Sequence, residues 1–105
     1  MIYRYGRKPY RDENECIQQF KAKDAGFQNR VMDWVQSNLV KQEKQNRKMH
    51  SGWLKQICQD TIGEYVSSDD IKAVMMLCGF TTKDGDELYP HYNITKKSVE
   101  NAQRR

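Results

Sequence analysis

Residues 63–94, GEYVSSDDIKAVMMLCGFTTKDGDELYPHYNI, decide how this chain is read. Ser67, with Asp70 three residues on, approximates a capping box in which Asp replaces the preferred Glu. Ile71, Val74, Met75 and Cys78 then recur at i, i+3, i+4 and i+7, which is one face of an amphipathic helix over about 68–78. Gly79 fits a left-handed C-terminal cap, and Phe80 stands where a following apolar residue packs back on the last turn. Tyr65 and Val66 form a short β-prone pair before the helix. After it, Asp84-Gly85 is a strong hairpin signal. Leu88, Pro90, Tyr92 and Ile94 alternate with Tyr89, His91 and Asn93 as a strand would. A hairpin is therefore expected over about 81–94, with Pro90 at an edge because it has no N–H to give to a ladder.

Upstream, three further helices are expected. Asp12 reads as an N-cap, with Glu13 and Glu15 in the first turn, where acids favour the helix dipole. Cys16, Ile17 and Phe20 give this helix, about 12–24, one apolar face. Gly26 reads as its break. Phe27, Val31, Trp34, Val35 and Leu39 advance by threes and fours and define a second helix, about 27–45. Its polar continuation from Lys41 lacks an apolar face and reads as an exposed helix extension or a loop. Ser51 reads as the cap of a third helix, 51–62, with Trp53, Leu54, Ile57, Cys58 and Ile62 as its stripe and Gly63 as its stop. The tail adds a short terminal helix if Thr95 or Ser98 caps it.

The order helix, helix, short strand, helix, hairpin resembles a winged helix. The phrase YVSSDDIKAVMMLCGF is similar to a form common in winged-helix domains of phage, plasmids and mobile elements. The resemblance spans about a third of the chain. It implies a mainly α fold with a small β-hairpin (α+β), a recognition helix at about 68–78 and a wing at 81–94. It also implies a nucleic-acid-binding regulator or replication accessory. The usual docking mode does not transfer, because base readout needs Arg, Lys, Asn or Gln and the helix offers Lys72 behind Asp69 and Asp70. The wing sets Lys83 against Asp84, Asp86 and Glu87, and phosphates repel acids.

At 105 residues the chain has room for one domain, here 12–105, preceded by a basic arm over 1–11. Charged residues are 30% and hydrophobic ones 37% of the chain, so the core must come from a few large side chains, with Trp34, Trp53, Phe20, Phe27 and Phe80 as candidates. No apolar run reaches the ~18 residues of a membrane span. Met1 is followed by a polar, basic segment, so no secretion signal is expected and the cytoplasm is the expected location. Cys16, Cys58 and Cys78 are an odd number among helical apolar residues, which fits buried thiols better than a disulfide framework. Asn93-Ile94-Thr95 matches a glycosylation pattern, by chance on this reading.

The net charge of +4 is unevenly spread. Residues 1–11, 41–55 and 96–105 are basic, while 56–95 carries seven acids against Lys72 and Lys83. Basic blocks point to an anionic partner. The arm holds Arg4, Arg7, Lys8 and Arg11 among tyrosines, a pattern suited to stacking and phosphate contact, or simply to a terminus without structure. Lys41, Lys44 and Lys48 fall at i, i+3 and i+7 and share a face if helical, with Arg47 and Lys55 nearby. Lys96 and Lys97 open the basic tail. No metal, cofactor, small-molecule substrate or enzymatic activity is expected. The cysteines and histidines lack ligand spacing, Asp84-Gly85-Asp86-Glu87 lacks the twelve-residue calcium pattern, and no nucleophile has a recognisable base.

Two functions follow. In the first, a small non-catalytic protein binds nucleic acid, duplex DNA with little sequence specificity, through those basic residues. In the second, the acidic face of Asp69, Asp70, Asp84, Asp86 and Glu87 docks on a basic protein partner, as small phage-type inhibitors do.

Overall fold

The capping box at Ser67 forms as the sequence dictates. The Ser67 hydroxyl accepts from the Asp70 N–H at 3.0 Å, and the Asp70 carboxylate accepts from the Ser67 N–H at 3.0 Å. The computed structural model describes residues 13–84 and 87–104. Among these lie five helices: α1 (Glu13–Lys21), α2 (Ala25–Asn38), α3 (Ser51–Ile62), α4 (Ser68–Leu77) and α5 (Lys96–Gln103). The expected cap at Asp12 lies outside the described residues.

The end of α4 also follows its sequence. Gly79 adopts φ 86°, Phe80 N–H donates to Met75 O at 2.9 Å, and Gly79 N–H donates to Met76 O at 3.0 Å. This is the paired bonding of a Schellman cap, and it turns Phe80 into the core. Gly63 ends α3 in the same left-handed region at φ 75°.

α4 is the centre of the molecule, packed against α1, α2 and α3. Every residue from Asp70 to Met75 is buried. A helix buried on all sides cannot enter a DNA groove, so α4 is not a recognition helix. Lys72 is fully buried, which corrects the expectation that it faces outward. It is not left without an interaction, as a buried ammonium requires. Asp70 is 2% exposed, and its carboxylate also receives the Lys23 ammonium at 2.7 Å. The α4 start is thereby pinned to the α1–α2 connection.

The other helices bury the stripes read from the sequence. Cys16 and Phe20 of α1 are buried, as are Val31, Trp34 and Val35 of α2 with Leu39 after it, and Leu54, Ile57 and Cys58 of α3. Trp53 departs from its stripe and is 50% exposed. Asp24 caps α2, accepting from the Phe27 N–H, so the helix begins ahead of Gly26 rather than after it. His50, not Ser51, caps α3 through its ring nitrogen. Thr95 caps α5, which lies against α2 and α3.

Three further expectations fail. α2 stops at Asn38, not near residue 45, because the polar run beyond it has no apolar face to gain from packing. Its backbone groups bond elsewhere. The hairpin is also absent. Among the described residues there is no strand, only three isolated antiparallel bridges: Lys41 with Ile94, His50 with His91, and Thr82 with Tyr92. A two-residue turn at Asp84-Gly85 would set Thr82 opposite Glu87. Thr82 instead faces Tyr92, while the Asp84 side chain folds back to accept from the His91 N–H at 3.0 Å. Among the described residues there is no wing, and the expected mainly α, winged-helix-like α+β fold is replaced by a helical one. Nor does the Tyr65-Val66 pair form a strand; Val66 N–H donates to the Gln59 side chain.

Val74 is fully buried among apolar neighbours, so Val74→Asp should abolish the cooperative thermal melt. Lys72→Ala should cost about 2 kcal/mol, because it empties the space of a buried four-carbon stem and removes a satisfied charge. A melt of Lys72→Ala identical to that of the parent would contradict this placement.

Candidate nucleic-acid interface

Residues 40–50 have no helix to satisfy their backbone, so they borrow partners from residues 90–95. Thr95 N–H donates to Val40 O, Gln42 N–H to Asn93 O, Asn46 N–H to Tyr92 O and Ser51 N–H to Pro90 O, each at 2.9 Å. Asn93 works on both sides. Its side-chain amide donates to Gln42 O at 2.9 Å, and its side-chain oxygen accepts from Thr81 N–H at 2.7 Å. Its own N–H donates to Thr81 O at 3.2 Å. The flanking Tyr92 and Ile94 are fully buried and anchor this spine. The basic run is therefore a loop held in a fixed path, and the shared helical face expected for Lys41, Lys44 and Lys48 does not exist.

The loop brings charges together in another way. Lys44 and Arg47 line a groove of about 820 Å³ with Lys83, Gln45, Thr81 and Thr82, and Glu43 is the only acid among its lining residues. Lys83 joins from the far side of Asn93 and was not among the residues expected to bind. Lys48 is exposed on the same loop. Lys41 bridges Ile94, and its ammonium lies 5.2 Å from the Phe80 ring centroid. Lys96 and Lys97 are exposed at the start of α5, just past the Thr95–Val40 bond. Lys96 also pairs with Glu100 at 3.8 Å. Lys55 belongs elsewhere, with its ammonium 5.1 Å from the Tyr65 ring centroid. Arg4, Arg7, Lys8 and Arg11 lie outside the described residues.

Asp70 and Asp84 do not belong to the outward acidic face expected of them. Asp70 is buried at the start of α4. Asp84 receives the His91 backbone N–H, the Thr82 hydroxyl at 2.8 Å and His91 Nδ1 at 3.0 Å. Burial pushes its carboxyl up, but these hydrogen bonds together outweigh burial and hold it below its ordinary 3.8. Asp69 is half-buried and engaged within the protein, Glu87 is exposed, and Asp86 lies outside the described residues.

Beside the groove is a set of rings that sequence reasoning missed. Thr82 holds Asp84, Asp84 holds His91, and the His91 ring meets the His50 ring edge-on at 6.2 Å. His50 stacks on Tyr89 at 5.3 Å and lies 6.4 Å from Trp53. His50 Nδ1 accepts from Gly52 N–H at 3.0 Å, so in the neutral ring Nε2 carries the hydrogen. Burial first, and then the nearby His91 charge, hold the His50 pKa below its ordinary 6.5. The one hint in the sequence was Gly52 between His50 and Trp53. A Cβ there would sit 2.7 Å from His50 Cε1 and 3.1 Å from Tyr89 Cδ1.

Among the described residues no group of three or more His, Cys, Asp or Glu side chains is placed to hold a metal. Among the same residues no helix is long and apolar enough to cross a membrane. Comparison with family models, with curated proteins and with solved structures gave no match. The resemblance to winged-helix domains gains no support from them.

Asn93→Ala would remove the partners of the Thr81 N–H and the Gln42 carbonyl in a part-buried seam, at about 0.5–1.5 kcal/mol for each lost bond. A chemical-denaturation midpoint unchanged by Asn93→Ala would refute this role. His50 is a pH-sensitive cap. Its folded pKa is depressed, so its contribution is complete above 6.5 and is lost as the pH falls below that value. Asn is a good cap that does not titrate. His50→Asn should therefore lose less stability than the parent in melts taken below pH 6.5.

Proposed function

We propose that this is a small, non-catalytic nucleic-acid-binding protein that contacts phosphates through its ordered loop and Lys83. One observation carries the reading: Lys44 and Arg47 meet Lys83 around one open groove that also presents the Thr81 hydroxyl. Guanidinium, ammonium and hydroxyl groups are the usual donors to phosphate oxygens. Such contacts position a backbone without reading sequence, so low sequence specificity follows.

The non-catalytic half of the reading has its own support. Burial, helped by the Asp70 charge, pushes the Cys58 thiol up to about 12, far from a nucleophile's range. Thr82 donates its hydroxyl to Asp84, whose carboxyl is held below its ordinary 3.8 and is therefore a weak base for activating a nucleophile. Docking through the acidic face is the weaker reading, since Asp70 and Asp84 are committed to the protein's own interior and turn contacts.

The triple variant Lys44→Ala, Arg47→Ala, Lys83→Ala should bind labelled oligonucleotide more weakly in fluorescence-anisotropy titrations at several salt concentrations. Its log–log salt slope should fall by about 0.7–0.9 per lost phosphate contact. Glu43→Gln should tighten binding by removing the groove's acid. Parental affinity and slope in the triple variant would overturn the assignment.

A further inference from the structure

We infer that the Trp53–His50–Tyr89 ring set is a stacking platform for unpaired bases, which makes single-stranded nucleic acid the ligand class of the groove beside it. The inference rests on the phosphate-binding reading above and adds the base half of the ligand.

The platform is exposed where large rings are usually covered. Trp53 is 50% and Tyr89 41% exposed, although each belongs to a segment that buries its neighbours Leu54 and Pro90. The rings are also held in place. His50 is fixed by its bond to Gly52 N–H, and Tyr89 stacks on it with 28° between the planes. Gly52 permits this approach, since any Cβ would press into both rings. A fixed, exposed aromatic surface loses little entropy on binding a flat ligand.

The surroundings say what that ligand is. The rings connect through His91, Asp84 and Thr82 to the groove of Lys44, Arg47 and Lys83. Lys48 stands two residues before His50 on the same loop. Rings beside cations match a ligand that alternates flat, apolar faces with negative charge. A single strand has this pattern, with its bases free to stack on side chains and its phosphates free to reach Lys and Arg. A duplex keeps its base faces stacked on each other and offers the platform nothing.

The test separates bases from phosphates. Single strands of roughly 10 nucleotides, one of thymidylate, one of uridylate and one abasic, are titrated against the full chain beside a duplex of the same length. Both base-carrying strands should bind about 5- to 100-fold more tightly than the abasic strand, which keeps only the phosphates. Tryptophan fluorescence should be quenched on binding, and Trp53→Ala should remove the quench, because Trp34 is buried at 5% exposure. Trp53→Ala and Tyr89→Ala should lower affinity for base-carrying strands towards the abasic value and leave abasic binding unchanged. Tyr89→Phe should restore it. Gly52→Ala should act as Tyr89→Ala does, with every ring still present. Melting curves establish that each variant is folded.

Equal binding of abasic and base-carrying strands would overturn the platform and leave the phosphate-binding reading standing. Preference for the duplex would do the same. Failure of the parent protein to bind any strand would overturn both and favour a protein partner. A difference between the thymidylate and uridylate strands would assign the natural ligand to DNA or RNA within the supported outcome.

Discussion

Asn93 is the residue on which the loop side of this molecule depends. Its side chain behaves as an extra peptide group, accepting from Thr81 on one side and donating to Gln42 on the other. The connection between α2 and α3 and the two ends of the connection between α4 and α5 are joined there without forming a strand. A regular ladder would spread this task over many residues. Here one buried amide and a few backbone bonds carry it, and their geometry sets where Lys44, Arg47 and Lys83 stand. The charge at the groove is thus a product of the polar interior beneath it.

The helical half of the fold was legible because its signals are local. Ser67 and Asp70, Gly79 and Phe80, and the stripe from Ile71 to Met75 each act within a turn or two of chain, and the structure carries them out as written. The loop half was not legible, because its decisive contacts are remote. Nothing near Asn38 announces that the following backbone will bond to residues 92–95. Nothing in Asp84-Gly85 shows that the aspartate will fold back on His91 and open the turn. Lys72 misled for a related reason: periodicity places it opposite the apolar stripe, and only the packing of α1, α2 and α3 around α4 removes that outer face. Of the proposed interface, Lys44, Arg47 and Lys48 were named from their charge and from a helical spacing that does not form. Lys83, Trp53 and Tyr89 were not named because each read as part of something else, a wing, a core stripe or a strand.

The acids show how misleading charge counting is without geometry. The stretch 56–95 carries half of the acids against only two lysines, yet two of its acids are internal fittings. Asp70 closes a helix and receives Lys23, and Asp84 organises Thr82 and His91. Both are satisfied by hydrogen bonds, as buried or half-buried carboxylates must be. What they leave at the surface is less acidic than the sequence suggests.

The loop's anchors also set an order of assembly. Asn93 and Gln42 lie 51 residues apart, and Ser98 reaches the Val40 N–H across 58. α1 and α4, though also distant in sequence, meet through fully buried apolar side chains, whereas residues 40–48 are held mainly by exchangeable polar bonds. Long loops close late in folding, and segments with few apolar contacts open early. Among the described residues, the groove should then form after the α1–α4 contact and open before it. Its backbone amides would exchange with solvent through local openings that leave α4 intact, and a ligand bridging Lys44 and Lys83 would close the same seam that Asn93 closes from within.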